Sequence, residues 1–331
     1  VTDGMGGIGG AGGAGCVDGI GRGSARAFAP ASIGNLGPGL DILGLAVAGI
    51  GDEVCARLVE RGRGPGVWMA DPGHAELSRD AGRHAAGIAA REVLRRGGVG
   101  TAGVELTVRK GIPLSGGLGG SAASAVAGAV AVNAMLATPL ERRELLAACL
   151  AAESAVAGRH LDNVAASLAG GCVIVRSVEE CDVHRIPTPP GLCVVLVHPH
   201  QRVRTMDSRS VLPASVERDV LVTQGANLAA LVAALMSSDH ELMRRSMEDI
   251  VAEPVRAPLL KGFREAKEAA CAAGALGCSI SGSGPAAFAL ARGEEEGERI
   301  ARAMRDAYGE CGLESDVYVT TVDEQGARVV E

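Results

Sequence analysis

Apolar and polar residues alternate along GVELTVRKGIP, residues 103–113, as they must when one face of a strand is buried and the other is wet. Short apolar runs predict further strands in EVCARLVE (53–60), GGCVIVR (170–176), LCVVLVHP (192–199) and DVYVTTV (316–322). From residue 25, ARAFAPASIGNLGPGLDILGLAVAG sets apolar flanks about a Pro/Gly/Asn centre and reads as strand, loop, strand. GCSISGSGPAAFAL (277–290) reads as strand, tight turn, strand.

Other stretches carry the helical period. HAELSRDAGRHAAGIAAREVLRRGG (74–98) predicts a helix stopped by Gly97-Gly98. PLERRELLAACLAAESAVAG (139–158) predicts one with Pro139 in its first turn and Gly158 at its end. Helices are also expected near 216–236, 239–250 and 261–273, and over EEEGERIARAMRDAYGECG (294–312). Three prolines in HRIPTPPG (184–191) mark a domain boundary, dividing the chain into 25–188 and 189–331. Residues 1–24, rich in glycine with little to bury, are expected to be a disordered tail. Antiparallel strands mixed with helices in the second half give an α+β fold class.

Composition narrows the function. Hydrophobic residues make up 47% of the 331 residues, ample for a core, but aromatics only 2%. With a net charge of −7, this speaks against a general nucleic-acid binder, which leans on basic patches and stacking faces. No uninterrupted apolar run reaches the roughly 18 residues that span a bilayer, and no secretory leader is visible, so a cytoplasmic protein with no membrane partner is expected. The nine cysteines form no C-x-x-C pair and read as reduced, mostly buried side chains.

The candidate chemistry begins at PLSGGLGGSAAS, residues 113–124, followed at once by the apolar helical run AVAGAVAVNAML. Glycines let backbone N–H groups approach an anion, and the next helix adds unpaired N–H groups and a positive dipole end. A phosphate cradle and a turn for tight packing both satisfy this pattern. The stretch is not GxxxxGK[ST], so it is not the usual P-loop. Ser121 could offer a hydroxyl to a metal or phosphate. Glu153, inside AACLAAESAVAG, is either exposed or a buried carboxylate in need of a partner such as Mg²⁺. Asn35 and Asp41 suit a turn or a pocket. His160, Asp162 and Asn163 form a polar knot that could be a hydrogen-bonded turn or a site. Gly282-Ser283-Gly284-Pro285 is either a hairpin connector or backbone approaching a ligand. His198 and His200 are read as a strand end.

Taken together, PASIGNLGPGLDILGLAV (30–47), PLSGGLGGSAASAVAGAVAVN (113–133) and ISGSGPAAFAL (280–290) resemble the three motifs of the GHMP kinases. Within that superfamily the first stretch, with HLDNVAASLAGG, TMDSRSVLP and EPVRAPLLKGF, is similar to homoserine kinases. The resemblance covers residues 25–331. It implies an N-terminal domain like ribosomal protein S5 domain 2 and a ferredoxin-like C-terminal domain. It implies ATP against Pro113, Leu114, Ser115, Gly116, Gly117, Leu118, Gly119, Gly120, Ser121, Ala122 and Ser124, with Gly282, Ser283 and Gly284 close by. Ser121 and Glu153 match the Mg²⁺ positions. Asn35, Asp41, Asp162 and Asn163 match substrate-pocket positions, and Thr205 one near the substrate hydroxyl. Arg209 and Arg256 match the pair expected to grip the carboxylate of L-homoserine. His160 is the candidate general base, although a dissociative phosphoryl transfer asks little of one.

The implied activity is ATP-dependent phosphorylation of L-homoserine on the way to threonine. The alternatives are a GHMP kinase for another alcohol, or a binding protein that kept the fold. A homodimer is left open. Gly120 stands where the first Ser of GLGSS is usual, Leu40 where Phe is usual, and Ile33-Gly34 where Thr-Ala is common. The first of these puts the loop's phosphate contacts in question.

Overall fold

The computed structural model describes residues 19–59, 64–203 and 205–330, apart from the side chain of Thr205. In chain order the elements begin with β1 (Ser24–Gly34), β2 (Leu43–Leu58), β3 (Gly66–Asp71), α1 (Ala85–Arg96), β4 (Gly103–Arg109) and α2 (Gly120–Met135). Next come α3 (Arg142–Val156), α4 (Asp162–Ala169), β5 (Cys172–Ser177), β6 (Asp182–Ile186) and β7 (Leu192–Pro199). Helices α5 (Thr205–Ser210), α6 (Arg218–Ser237), α7 (His240–Ser246), α8 (Glu253–Arg256) and α9 (Phe263–Ala272) follow. The chain continues with β8 (Gly277–Ile280), β9 (Ala287–Arg292), α10 (Glu294–Glu310), β10 (Ser315–Thr321) and β11 (Arg328–Val329).

Two sheets organise these elements. The first runs β11-β1-β2-β4-β3, with β5 pairing to β2 and β6 to β5. Strand β2 serves three neighbours: β1 along one edge, and on the other β5 through Leu43–Leu45 and β4 through Glu53–Leu58. Among the described residues only the β3–β4 pair in this sheet is parallel. The second sheet runs β10-β7-β9-β8 and is antiparallel throughout.

Helix α2 has small apolar residues on every side, and nearly all are buried. A helix apolar all round belongs in a core. It packs on β1 and β2 and carries α1 and α3. With so few aromatics the first core is built from Ala, Val, Leu and Ile, while Tyr308 and Phe263 anchor a second cluster under β7 to β9.

Several expectations need correction. The strands expected on either side of Gly49–Asp52 are one strand, β2, bent at a register shift opposite Pro30/Ala31. The helix expected from residue 74 starts at Ala85, because His84 is its N-cap and a 3₁₀ turn at Ala81–Arg83 precedes it. Pro139 lies outside α3, which opens on a reciprocal Glu141–Glu144 capping box. Part of the expected tail is ordered: Ile20 is buried and bridges to Leu136, and Ser24 already belongs to β1. Residues 1–18 lie outside the described residues. Strands β3, β6 and β11 were not expected, and β11 returns to the first sheet. Among the described residues one helix, α6, is by length and composition long and apolar enough to cross a membrane. Scattered uncharged polar residues hid that from a search for unbroken apolar runs.

His84 links this fold to solution conditions. Its Nδ1 accepts from the Ala86 N–H at 3.2 Å, and Nε2 lies 3.2 Å from the Pro72 carbonyl. Burial holds its pKa below the ordinary 6.5, despite the Pro72 hydrogen bond. A neutral folded histidine stabilises above the unfolded value and loses that contribution as pH falls toward the folded one. The unfolding free energy is therefore expected to drop as pH falls below about 6.5. His84→Asn, which keeps a good N-cap, should flatten part of that slope in urea titrations. An unchanged slope would remove His84 as a source.

Candidate active site

The glycine stretch connects β4 to α2. Gly119 occupies the N-cap with φ 69°, and no side chain caps the helix. The first-turn N–H groups therefore face outward without a side-chain acceptor. Tight packing is also present. A Cβ on Gly117 (φ +75°) would lie 2.6 Å from the Ser281 carbonyl, and one on Gly119 would lie 2.2 Å from Ser32 Oγ. Gly120 differs, since a Cβ there would stand 3.4 Å from Ile112 and from Lys110 Nζ, in ordinary contact.

A buried ionic network braces the loop from behind. Asp52 is fully buried and pairs with Lys110, whose ammonium also donates to the Gly120 carbonyl and to Ser124 Oγ, each at 3.0 Å. Asp52 further accepts from Ser124 Oγ at 2.7 Å and from the backbone N–H groups of Gly111 and Ile112. Three acceptors occupy Lys110, so its role here is to fix the loop. Ser124, expected at the nucleotide, spends its hydroxyl in this network. Leu118 and Ala122 point into the core, so only their main chain is open to a ligand.

The three motifs converge. The Gly282 N–H donates to the Gly34 carbonyl at 3.0 Å, and the Ala286 N–H to the Gly116 carbonyl at 3.2 Å. Ser281 Oγ donates to the Gly117 carbonyl at 2.7 Å. Asn35, with φ 56°, accepts from the Asp41 N–H through Oδ1 and donates to the Gly282 carbonyl through Nδ2. Its amide is thus engaged at both ends within the protein.

Around this junction one pocket is lined by Asn35, Asp41, Ser115, Gly117, Gly119, Glu153, His160, Asp162, Asn163, Arg209, Arg256, Gly282 and Ser283. A neighbouring cavity takes in Lys110, Leu114, Ser115, Gly120, Ser121 and Ser124, and another Pro113 and Leu114. Gly284 packs on Gly117. The residues anticipated from separate stretches are brought together, except that Thr205, at the head of α5, has a side chain outside the described residues.

The pocket is polar, and its carboxylate and imidazole groups are buried. Glu153, on α3, is 2% exposed and accepts from Ser121 Oγ at 3.1 Å. His160 lies between carboxylates, with Nδ1 3.4 Å from Asp162 Oδ1 and Nε2 3.8 Å from Glu153 Oε1. Asp162 Oδ2 accepts from the Asn35 N–H at 2.9 Å. Asn163 Oδ1 accepts from Ser32 Oγ at 3.0 Å. Burial raises the Glu153 pKa, with His160 and Ser121 opposing. Burial opposes charge on His160, but contact with Asp162 and the Glu153 charge lift its pKa overall. Burial would also raise the Asp162 pKa, yet His160 and the backbone N–H groups of Asn35 and Asn163 bring it below the ordinary range.

Among the described residues, three buried polar atoms in this pocket have no hydrogen-bond partner: Glu153 Oε2, His160 Nε2 and Asp162 Oδ1. Unpaired buried polar atoms are costly unless a ligand completes them. Glu153 and Ser121 present hard oxygen donors that fit a cation of the Mg²⁺ type. No group of three or more His, Cys, Asp or Glu among the described residues forms a metal cage, so water or a ligand would complete such a shell. Buried Arg256 donates from Nε to the Ser208 carbonyl and from Nη1 to the Gly282 carbonyl, both at 3.1 Å. Burial, with Arg209 nearby, lowers its pKa. Arg209 forms a two-pronged pair with Asp41, at 2.5 and 3.2 Å.

Sequence reading missed Asp52 and Lys110. The signal was present: a carboxylate within an apolar strand needs a partner as much as Glu153 does. Lys110→Met should leave Asp52 buried without its cation. Urea denaturation is expected to show a loss of about 3–5 kcal/mol. A loss under about 1 kcal/mol would mean the pair behaves as a surface ion pair.

The chain matches the GHMP kinases N terminal domain over residues 83–171 and the GHMP kinases C terminal domain over residues 231–310. It is 38% identical over 314 residues to the homoserine kinase of Chlorobium phaeobacteroides strain BS1, covering 92% of this chain and 98% of that one. It is 40% identical over 313 residues to the homoserine kinase of Arabidopsis thaliana, covering 93% and 85%. The crystal structure of homoserine kinase from Cytophaga hutchinsonii superposes with a TM-score of 0.88 at 41% identity, covering 93% of this chain and 98% of that one. With the three motifs meeting at one pocket and matches of this length, the chain belongs to the GHMP kinases, within their homoserine kinase family.

Proposed function

We propose that this protein transfers the γ-phosphoryl group of ATP to the side-chain hydroxyl of L-homoserine, giving O-phospho-L-homoserine on the way to threonine. One observation carries the reading. The pocket beside the uncapped end of α2 holds paired arginines and, facing them, a buried carboxylate with a vacant oxygen. That donor set suits a zwitterion with a hydroxyl, held next to a phosphate chain.

Residues 113–121 and the first turn of α2 hold the phosphates through backbone N–H groups. Asp162 Oδ1 receives the substrate ammonium. The unused Nη2 of Arg256, with Arg209 shared from Asp41, orients the carboxylate. Ser121 and Glu153 would hold Mg²⁺, which when bound neutralises phosphate charge. With a carboxylate beside each ring nitrogen, His160 orients Glu153 and Asp162, and no general base is assigned to it. Thr205 and Asn163 position the acceptor hydroxyl, while Asn35, its amide spent on Asp41 and Gly282, holds the pocket wall in place. Phosphoryl transfer needs alignment and charge stabilisation more than covalent help. We place the enzyme in the cytoplasm, acting without nucleic acid or membrane.

ADP release assayed with L-homoserine, L-serine, L-threonine and mevalonate tests the reading: turnover should be largely confined to L-homoserine. Arg256→Ala should cost about 2–5 kcal/mol in kcat/KM, and less than about tenfold would count against the clamp. Glu153→Gln should depress kcat and shift the Mg²⁺ titration. An unmoved titration would take Glu153 out of the metal site.

A further inference from the structure

Ser32 is a polar residue set among the apolar side chains that end β1, and it is fully buried. Its backbone N–H donates to the Leu118 carbonyl of the glycine loop at 3.2 Å, and its Oγ donates to Asn163 Oδ1, on α4, at 3.0 Å. One residue thus ties the glycine loop to the acceptor side of the pocket. Missing side chains make the room for this tie. A Cβ on Gly119 would lie 2.2 Å from Ser32 Oγ and 2.9 Å from Asn163 Oδ1, and one on Gly34 would lie 2.3 Å from Asn163 Nδ2.

The bond decides which way the Asn163 amide faces. Oδ1 is spent on Ser32, so Nδ2 is turned to the other side, where Asp162 Oδ2 lies 2.5 Å from the same Gly34 Cβ position. Turning the amide over would set its oxygen toward that carboxylate, which charge opposes. It would also take away the acceptor that the buried Ser32 proton uses. The backbone under the amide is held as well. Asn163 stands in the first turn of α4, and Ser167 Oγ of that helix donates to the Pro30 carbonyl at 2.7 Å.

Among the described residues no acceptor takes Nδ2, and Asn163 lines the pocket. A donor pinned there, beside Gly119, can meet an oxygen but cannot take a proton from it. We propose that Ser32 is a positioning residue, a role that rests on the phosphoryl transfer proposed above. By filling Oδ1 it holds the Asn163 amide so that Nδ2 donates to the oxygen of the acceptor hydroxyl. Orientation of this kind acts on rate more than on affinity, because the charged groups that hold the zwitterion are untouched.

Ser32→Ala should lower kcat about 10- to 100-fold. The calorimetric Kd for L-homoserine, with an ATP analogue present, should change by less than about threefold. Ser32→Thr, which keeps the hydroxyl, should recover most of the lost rate. Asn163→Ala should also be slow, and adding Ser32→Ala to it should cost less than about twofold more. A Ser32→Ala enzyme as fast as its parent overturns the proposal, as does a Kd that rises in step with the fall in kcat. So does a threonine variant as slow as the alanine one, or an equal loss in both backgrounds. Urea unfolding of the parent, both single alanine variants and the double variant reads the bond without substrate. The two substitutions should be non-additive there too, and additive losses overturn the pairing. A parent inactive on L-homoserine whose urea cycle still shows coupling overturns the kinase reading and, with it, the role of Ser32 in catalysis.

Discussion

One buried ammonium organises the loop on which everything else depends. Lys110 sits at the end of β4, and its three donors reach Asp52 on β2, the main chain of Gly120 and the hydroxyl of Ser124 on α2. A strand end, a loop and a helix start are thereby held in one relation. The pair is dry, so desolvation of both charges must be met by the further hydrogen bonds that Asp52 accepts. The return is rigidity. A helix N-terminus can present fixed N–H groups to an anion only if its own position is fixed.

The other side of the pocket follows a different logic. Glu153, His160 and Asp162 are nearly solvent-free, and their charges are balanced around one imidazole. Oxygen atoms of both carboxylates are left without partners. The side chains that brace the loop, Asp52, Lys110 and Ser124, are satisfied internally before any ligand arrives, and this trio is not. That division separates the part of the site that holds its shape from the part that awaits charge.

Much of this was legible in the sequence. The alternation in β4, the apolar run of β7 and the glycines before α2 gave the elements, and three short motifs gave the family. Edges were not legible. β6 and β11 are short and partly polar, and they exist because a neighbouring strand offers open hydrogen bonds. The start of α1 depends on a histidine cap, a weaker signal than Ser or Asp. In the site, residue types pointed to the pocket but not to their engagement. Asn35 and Ser124 looked available for ligands, and their side chains are spent on the protein itself. Gly117 and Gly119 fit a phosphate cradle and tight packing alike, and close backbone contacts show that packing demands them too.

The pairing of β11 with β1 has a consequence for biogenesis. Ala27 and Phe28, close to the beginning of the described chain, find their partners in Val329 and Arg328, and the Arg328 guanidinium lies 4.6 Å from the Phe28 ring centre. During translation β1 therefore keeps an open edge until β11, far along the chain from it, has left the ribosome. A nascent chain in that state carries a strand ready to pair with strangers, and the arrival of β11 closes it.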